Sequence, residues 1–197
     1  MSYTRLILAT ANAHKVDEIR AVLSERFILN TLSEAGVTAV LPETSGTIQG
    51  NAIEKALSVW ELTGCACIAD DSGLEVDVLQ GRPGVDSAYF AGYPRNDDRN
   101  IQYLLDQLEG IRDRAAAFVT VIALVREGEV FTFEGRLHGV ITDRRRGSQG
   151  FGYDPVFIPD GFTQTLAELG SEVKNRISHR ALALRKLVAF LDSADMS

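Results

Sequence analysis

Ala66-Cys67-Ile68-Ala69-Asp70-Asp71-Ser72-Gly73-Leu74-Glu75-Val76-Asp77-Val78 sets a compact apolar run directly before two carboxylates, then alternates apolar with acidic residues. The pattern predicts a buried strand over 66–69, an acidic turn at Asp70-Asp71-Ser72-Gly73, and a half-exposed strand beyond it. Two carboxylates held at a sheet edge offer the hard oxygens that magnesium takes one or two at a time, beside water and phosphate. An ionised Asp there can also accept a proton from an attacking water. An Asx-type turn between strands accounts for the same four residues equally well.

Working outward, Arg5 to Ala9 is a short apolar run ending in Thr10-Ala11-Asn12, after which Val16, Ile19, Val22 and Leu23 recur at helical spacing. This reads as strand, polar turn and helix. Phe27 to Leu32 reads as a second strand, and Glu43 to Gly50 as polar loop. Ala52, Ile53, Ala56, Leu57 and Trp60 mark one face of a helix that closes at Gly64. Gly81 to Arg99 reads as a long surface loop, and Ile101, Leu104, Leu105 and Leu108 as the next helix. Ala115 to Val125 and Val130 to Leu137 are β-rich runs joined through Arg126-Glu127-Gly128-Glu129, which predicts an antiparallel hairpin. Ala181, Leu184, Leu187, Val188 and Leu191 close the chain as an amphipathic helix. No repeat, low-complexity tract or linker interrupts this order, which predicts one mixed α/β unit.

Composition narrows the function. At 197 residues and 45% hydrophobic content the chain builds a real core, which excludes a disordered or fibrous protein. Its net charge of −7 repels polyanions and leaves no broad basic face for nucleic acid. No apolar stretch suits a membrane span or a signal-peptide core, so a cytoplasmic protein is expected. Cys65 and Cys67 lie too close along an extended chain to bridge, and read as small buried residues. His14, His138 and His179 have no serine at triad spacing, which disfavours covalent catalysis.

Three further segments can meet an anionic nucleotide. Thr10-Ala11-Asn12-Ala13-His14-Lys15 lies between strand and helix, where free N–H groups and Lys15 can hold phosphate. A helix cap at Asn12 with a solvated lysine is the plainer account. Gly147-Ser148-Gln149-Gly150-Phe151-Gly152-Tyr153-Asp154-Pro155 combines close backbone approach with rings that can stack on a base, or else is a tight hairpin with buried aromatics. Lys174, Arg176, His179 and Arg180 fall within seven residues, with Ser178 placed to cap a helix beginning near His179. They form either a local positive cluster for phosphates or a solvated first turn. Arg144-Arg145-Arg146 reads as solvated surface.

Taken in order, these segments resemble the inosine/xanthosine triphosphate pyrophosphatase family, also called the Ham1 family. The likeness covers nearly the whole chain. It rests on Leu8-Ala9-Thr10-Ala11-Asn12 with Lys15, Asn51-Ala52 with Lys55-Ala56, Ala69 to Leu74, Gly81-Arg82-Pro83-Gly84-Val85 with Ser87-Ala88, Gly150 to Pro155, and Ala167-Glu168-Leu169 continuing to Lys174 and Ile177-Ser178-His179-Arg180.

The resemblance implies an elongated two-lobed α/β fold, a mixed sheet flanked by helices with the active site in the cleft between lobes. Residues 1–197 would form a single pyrophosphatase domain, usually as a homodimer. It implies hydrolysis of ITP, dITP and XTP to the monophosphate and pyrophosphate. Thr10, Asn12 and Lys15 would hold phosphates, Asp71 would be the general base, and Ser72 would touch substrate beside it. Magnesium would be held by Asp71, Asp70 and Glu43. Phe151, Gly152, Tyr153 and Asp154 match the base-pocket segment, and Lys174, His179 and Arg180 match further substrate contacts. Two positions depart from the family pattern. Leu41-Pro42-Glu43-Thr44-Ser45-Gly46 retains only Glu43 where many members carry paired glutamates, and Tyr89 replaces a family arginine. A Maf-like pyrophosphatase for pyrimidine or modified nucleotides and a nucleotide-binding module without turnover are the competing readings.

Overall fold

The computed structural model describes residues 4–10, 12–23 and 27–194. Ala11, part of the expected phosphate turn, lies outside them, as does the side chain of Val22. A seven-stranded mixed sheet runs in the order β2-β1-β3-β5-β6-β7, with β4 paired to β3. The strands are β1 (Thr4–Leu8), β2 (Phe27–Thr31), β3 (Cys67–Val76), β4 (Pro83–Gly84), β5 (Ala115–Arg126), β6 (Glu129–Ile141) and β7 (Phe157–Pro159). The helices are α1 (Ala13–Val22), α2 (Ile48–Thr63), α3 (Asp97–Gln107), α4 (Leu166–Ile177) and α5 (His179–Ala194).

Two compact units divide the chain. The first takes residues up to Asp71, Thr120–Gly135 and Arg180 onward. Here β1 lies parallel to both β2 and β3, as a βαβ crossover through α1 requires. Leu6, Leu8, Ile68, Ile122 and Leu124 pack under Val16 and Ile19 of α1 and Leu184, Leu187 and Leu191 of α5. Each such buried Leu or Ile contributes about 1.5–3 kcal/mol. Cys67 turns the other way, and its thiol donates to the Ala56 carbonyl of α2 at 3.1 Å. Helices on both faces explain why these strands read as unbroken apolar runs.

The second unit, Ser72–Val119 with Arg136–His179, has its own core. Leu74 and Val76 of β3, Ile101 and Leu104 of α3, Phe118 of β5, Ile141 of β6, Phe157 of β7 and Leu166 of α4 pack together. Here β3 pairs antiparallel with β4, and β6 with β7. The β5–β6 connection is the predicted hairpin: Glu127 and Gly128 both have positive φ, 55° and 81°, as a two-residue turn of the right twist needs.

Several boundaries differ from the sequence reading, and each has a physical cause. Asp70 to Gly73 is not a turn, because β3 continues unbroken from Cys67 to Val76. The apolar run simply carries polar residues in mid-strand, and Asp77–Leu79 beyond it is a 3-10 turn. Helix α2 starts at Ile48, one turn before the apolar pattern, because the Thr47 side chain caps Gly50 N–H. Its far end is as expected, with Gly64 left-handed at φ 64°. The 81–99 stretch is partly ordered into β4, a 3-10 turn at Ser87–Tyr89 and the start of α3. Helix α4 was hidden by its polar composition, although Thr165 and Glu168 form a capping box at its start.

Candidate active site

Because β3 is a strand through Asp70 and Asp71, the two carboxylates leave it on opposite faces. Asp70 shares a face with Ile68, toward α1 and α5. Its side chain is 1% exposed, with Lys15 Nζ at 2.9 Å and Arg180 Nε at 3.1 Å from the same oxygen. Arg180 also pairs with Glu18. Burial alone would raise the Asp70 pKa, but Lys15 and Arg180 outweigh it and hold the carboxyl well below its ordinary range. Lys15 moves down, since burial outweighs the attraction of Asp70 and Arg180 and Lys55 repel it.

Asp71 shares the Cys67 face and meets α2. Lys55 Nζ lies 3.1 Å from Asp71 Oδ1, 2.6 Å from Glu43 Oε1 and 2.9 Å from the Asp70 carbonyl oxygen. Asn51 donates to the other Asp71 oxygen at 3.4 Å. Burial raises the Asp71 pKa, with Lys55 and Lys15 opposing it. For Lys55 the balance reverses: burial lowers its pKa, but Asp71, Glu43 and Asp70 together carry it above the ordinary value. The loop bearing Glu43 is tied to α2 at two more points. Thr44 donates to both Glu54 oxygens, at 2.7 and 3.1 Å, and Ser45 N–H donates to Asn51 at 3.2 Å.

Three cationic side chains here, Lys15, Lys55 and Arg180, thus stand among Glu18, Glu43, Asp70 and Asp71. Such a set has no surplus positive charge with which to meet a polyphosphate, and a divalent cation corrects that deficit. Glu43 and Asp71 supply hard oxygens on one side of β3, and this fits magnesium, which takes few protein ligands and fills its shell with water and phosphate. Among the described residues no group of three or more His, Cys, Asp or Glu side chains is arranged to hold a metal alone. Asp70, expected beside Asp71, is engaged by cations on the opposite face.

The second unit brings together the aromatic loop. Lys174 Nζ lies 2.6 Å from Asp154 Oδ2, both side chains nearly buried, and 3.9 Å from the centroid of the Phe151 ring. Phe151 N–H donates to the same Asp154 oxygen at 2.9 Å. Gly150, at φ +80°, lies so close that a Cβ there would strike that carboxylate. His179 is buried with its ring stacked on Phe118, 5.0 Å between centroids. Tyr153 donates its O–H to the Ser87 carbonyl at 2.9 Å, and burial pushes its phenol pKa up. Ser87 Oγ in turn donates to Gly84 O at 2.6 Å and accepts from Leu74 N–H at 2.8 Å, two residues beyond Ser72 on β3. Thr10 and Asn12 stand together before α1, Asn12 N–H donating to Thr10 Oγ1 at 3.2 Å.

Lys174 and His179 fall in one unit and Arg180 in the other, and Lys174 and Arg180 each pair with a carboxylate, Asp154 and Asp70. Within the basic run, Arg145 pairs with Asp98 and Arg146 with Glu168. Cys67 is buried and its thiol pKa is pushed up to about 12 by burial, but Cys65 is exposed. Tyr89, in place of the family arginine, is half exposed and stacks on Tyr93 at 6.1 Å. Spacing alone assigns Lys55 no role. Its signal was a lysine at i+4 from Asn51 on the apolar stripe Ile48, Ala52, Ala56 and Val59. Nothing in the spacing announced Glu18.

A mixed sheet with strand-borne carboxylates set among buried cations defines an α/β protein with a charged site at mid-strand. The pattern of the Ham1 family matches residues 6–190, and the chain belongs to that family. It is 50% identical over 188 residues to a dITP/XTP pyrophosphatase of Porphyromonas gingivalis, covering 95% of this chain and 97% of that one. With a dITP/XTP pyrophosphatase of Bacillus licheniformis it shares 48% over 193 residues, 96% and 98% covered. The Ham1 protein of Staphylococcus aureus superposes with a TM-score of 0.91 at 36% identity, over 97% of this chain and 100% of that one.

Proposed function

We propose that this chain hydrolyses ITP, dITP and XTP to the monophosphate and pyrophosphate, by attack of water on the α-phosphorus. It is a nucleoside triphosphate pyrophosphohydrolase that clears deaminated purines from the nucleotide pool. The observation that carries the reading is Asp71, part-buried and held with Glu43 by one lysine on one side of β3. Family membership and the names of the similar proteins support the substrate class.

In this mechanism Asp71 accepts the proton of the attacking water. Lys55 keeps Asp71 and Glu43 together. Magnesium, held by Asp71 and Glu43, supplies charge that neutralises and polarises the phosphate oxygens when bound. Asp70 serves by fixing Lys15 and Arg180, and the metal set narrows to the other two carboxylates. Thr10, Asn12 and Lys15 hold phosphate at the start of α1, where N–H groups point outward along the helix axis. Ser72, the next residue along β3, touches substrate.

Phe151, Gly152, Tyr153, Asp154 and Lys174 serve the purine. His179, oriented by its stack on Phe118, donates to the keto oxygen of hypoxanthine or xanthine. Adenine presents an amino donor there and leaves the pair unmade, which rejects it. The reading extends to residues 1–197 acting as one catalytic domain, as a homodimer in the cytoplasm. No helix among the described residues is long and apolar enough to cross a membrane, and the acidic net charge disfavours nucleic acid.

Incubation with magnesium and ITP, XTP, dITP, ATP, GTP and UTP in separate reactions tests this directly. Pyrophosphate and monophosphate are expected, concentrated on the first three. Release of orthophosphate, a preference for UTP, or no turnover at all would overturn it.

A further inference from the structure

Gly152, at the centre of the aromatic loop, donates its N–H to Oδ2 of Asp97 at 2.9 Å, across 55 residues of sequence. Asp97 is the first residue of α3, behind the Asn96 cap. Arg95 Nε donates to its other oxygen at 3.0 Å, and the same guanidinium reaches Oδ2 at 3.4 Å. The carboxylate is therefore fixed from one side and holds the loop backbone on the other.

Every residue from Phe151 to Tyr153 is gripped separately. Phe151 N–H goes to Asp154, Gly152 N–H to Asp97, and Tyr153 O–H to the Ser87 carbonyl. Asp154 belongs to a buried ion pair and Tyr153 to the core, so changes there disturb packing. Asp97 differs. Its side chain is about a third exposed and belongs to no apolar cluster, and its hydrogen bond to Gly152 ties it directly to the loop backbone. Charged acceptors make the stronger kind of bond to a backbone N–H. The pKa of Asp97 agrees: burial raises it, but Arg95 and the Gly152 N–H outweigh burial and lower it.

We propose that Asp97 is a positioning residue for purine binding: by clamping the Gly152 N–H it sets the peptide planes that orient Phe151 and Tyr153. A residue that shapes a binding loop in this way alters substrate affinity and leaves the chemical step alone. This rests on the reading of Phe151 to Asp154 as the base-holding segment.

Steady-state kinetics on ITP with magnesium test it in three variants, each checked for an unchanged melting temperature. Asp97→Ala is expected to raise KM about tenfold with kcat within about twofold. Asp97→Asn, which keeps an acceptor oxygen, is expected to restore KM to within about threefold of wild type. Both variants lose the same charge from the start of α3, so equal KM increases would assign the effect to that charge and overturn the clamp. Unchanged KM in Asp97→Ala also overturns it. Phe151→Ala separates this inference from the reading beneath it. If Phe151→Ala raises KM while Asp97→Ala is silent, the clamp alone fails; if Phe151→Ala is silent too, the base-holding loop fails with it.

Discussion

Asp71→Asn is expected to turn over ITP about a thousandfold more slowly than the wild type, with its fold intact. The substitution keeps size and shape and removes the lone pair that takes the proton. Positioned general bases are worth about 10²–10⁴ in rate, and the same change also weakens one of two oxygens proposed for the metal. Lys55 keeps its partner, since an amide oxygen still accepts from it, while the longer Asn51 contact at 3.4 Å is lost, donor then facing donor. Single-turnover rates at saturating magnesium, beside a thermal melt, measure both halves. A variant within tenfold of wild type would remove Asp71 from the mechanism.

The neighbouring substitution acts on stability. Asp70→Ala is expected to lose about 3–5 kcal/mol, because it leaves Lys15 and Arg180 buried with a missing counter-charge. Glu18 still compensates Arg180, which places the loss toward the lower end of that range. The loss depends on pH in a definite direction. In the folded protein the Asp70 pKa lies below the unfolded value of 3.8, so the stability it contributes is complete above about pH 5. It disappears as pH falls through the unfolded value toward the folded one. Urea midpoints taken from pH 6 to pH 3 should fall more steeply for wild type than for Asp70→Ala, and the two curves should converge in acid. Parallel curves would mean that the carboxylate is not linked to folding as its ion pairs imply.

Much of this was legible in the sequence because apolar periodicity reports burial. Val16 and Ile19, the Ala52-Ala56 stripe and Leu184-Leu187-Leu191 all lie where their spacing put them. The hairpin at Glu127-Gly128 was equally plain, since turn chemistry is local. What spacing missed was long-range pairing. A buried charge reads as solvated until its partner is known, and partners of Arg180 and Lys174 lie 162 and 20 residues away. Asp70 to Gly73 misled for a related reason: its polarity signals a turn only if no other element meets those side chains. Lys15, Lys55 and Arg180 meet them.

That uninterrupted β3 has a consequence for how the family can vary. The proposed proton acceptor, Asp71, and the structural anchor, Asp70, are adjacent residues told apart only by the side of the sheet they face. A one-residue insertion upstream in β3 would turn Asp70 toward Lys55, and a one-residue deletion would turn Asp71 toward Lys15 and Arg180; either leaves one of the two sites without its carboxylate. Strand register, not loop design, therefore carries the chemistry. Diversification is free to work on exposed segments such as 38–40, while the spacing from Cys67 to Asp71 stays closed to length change.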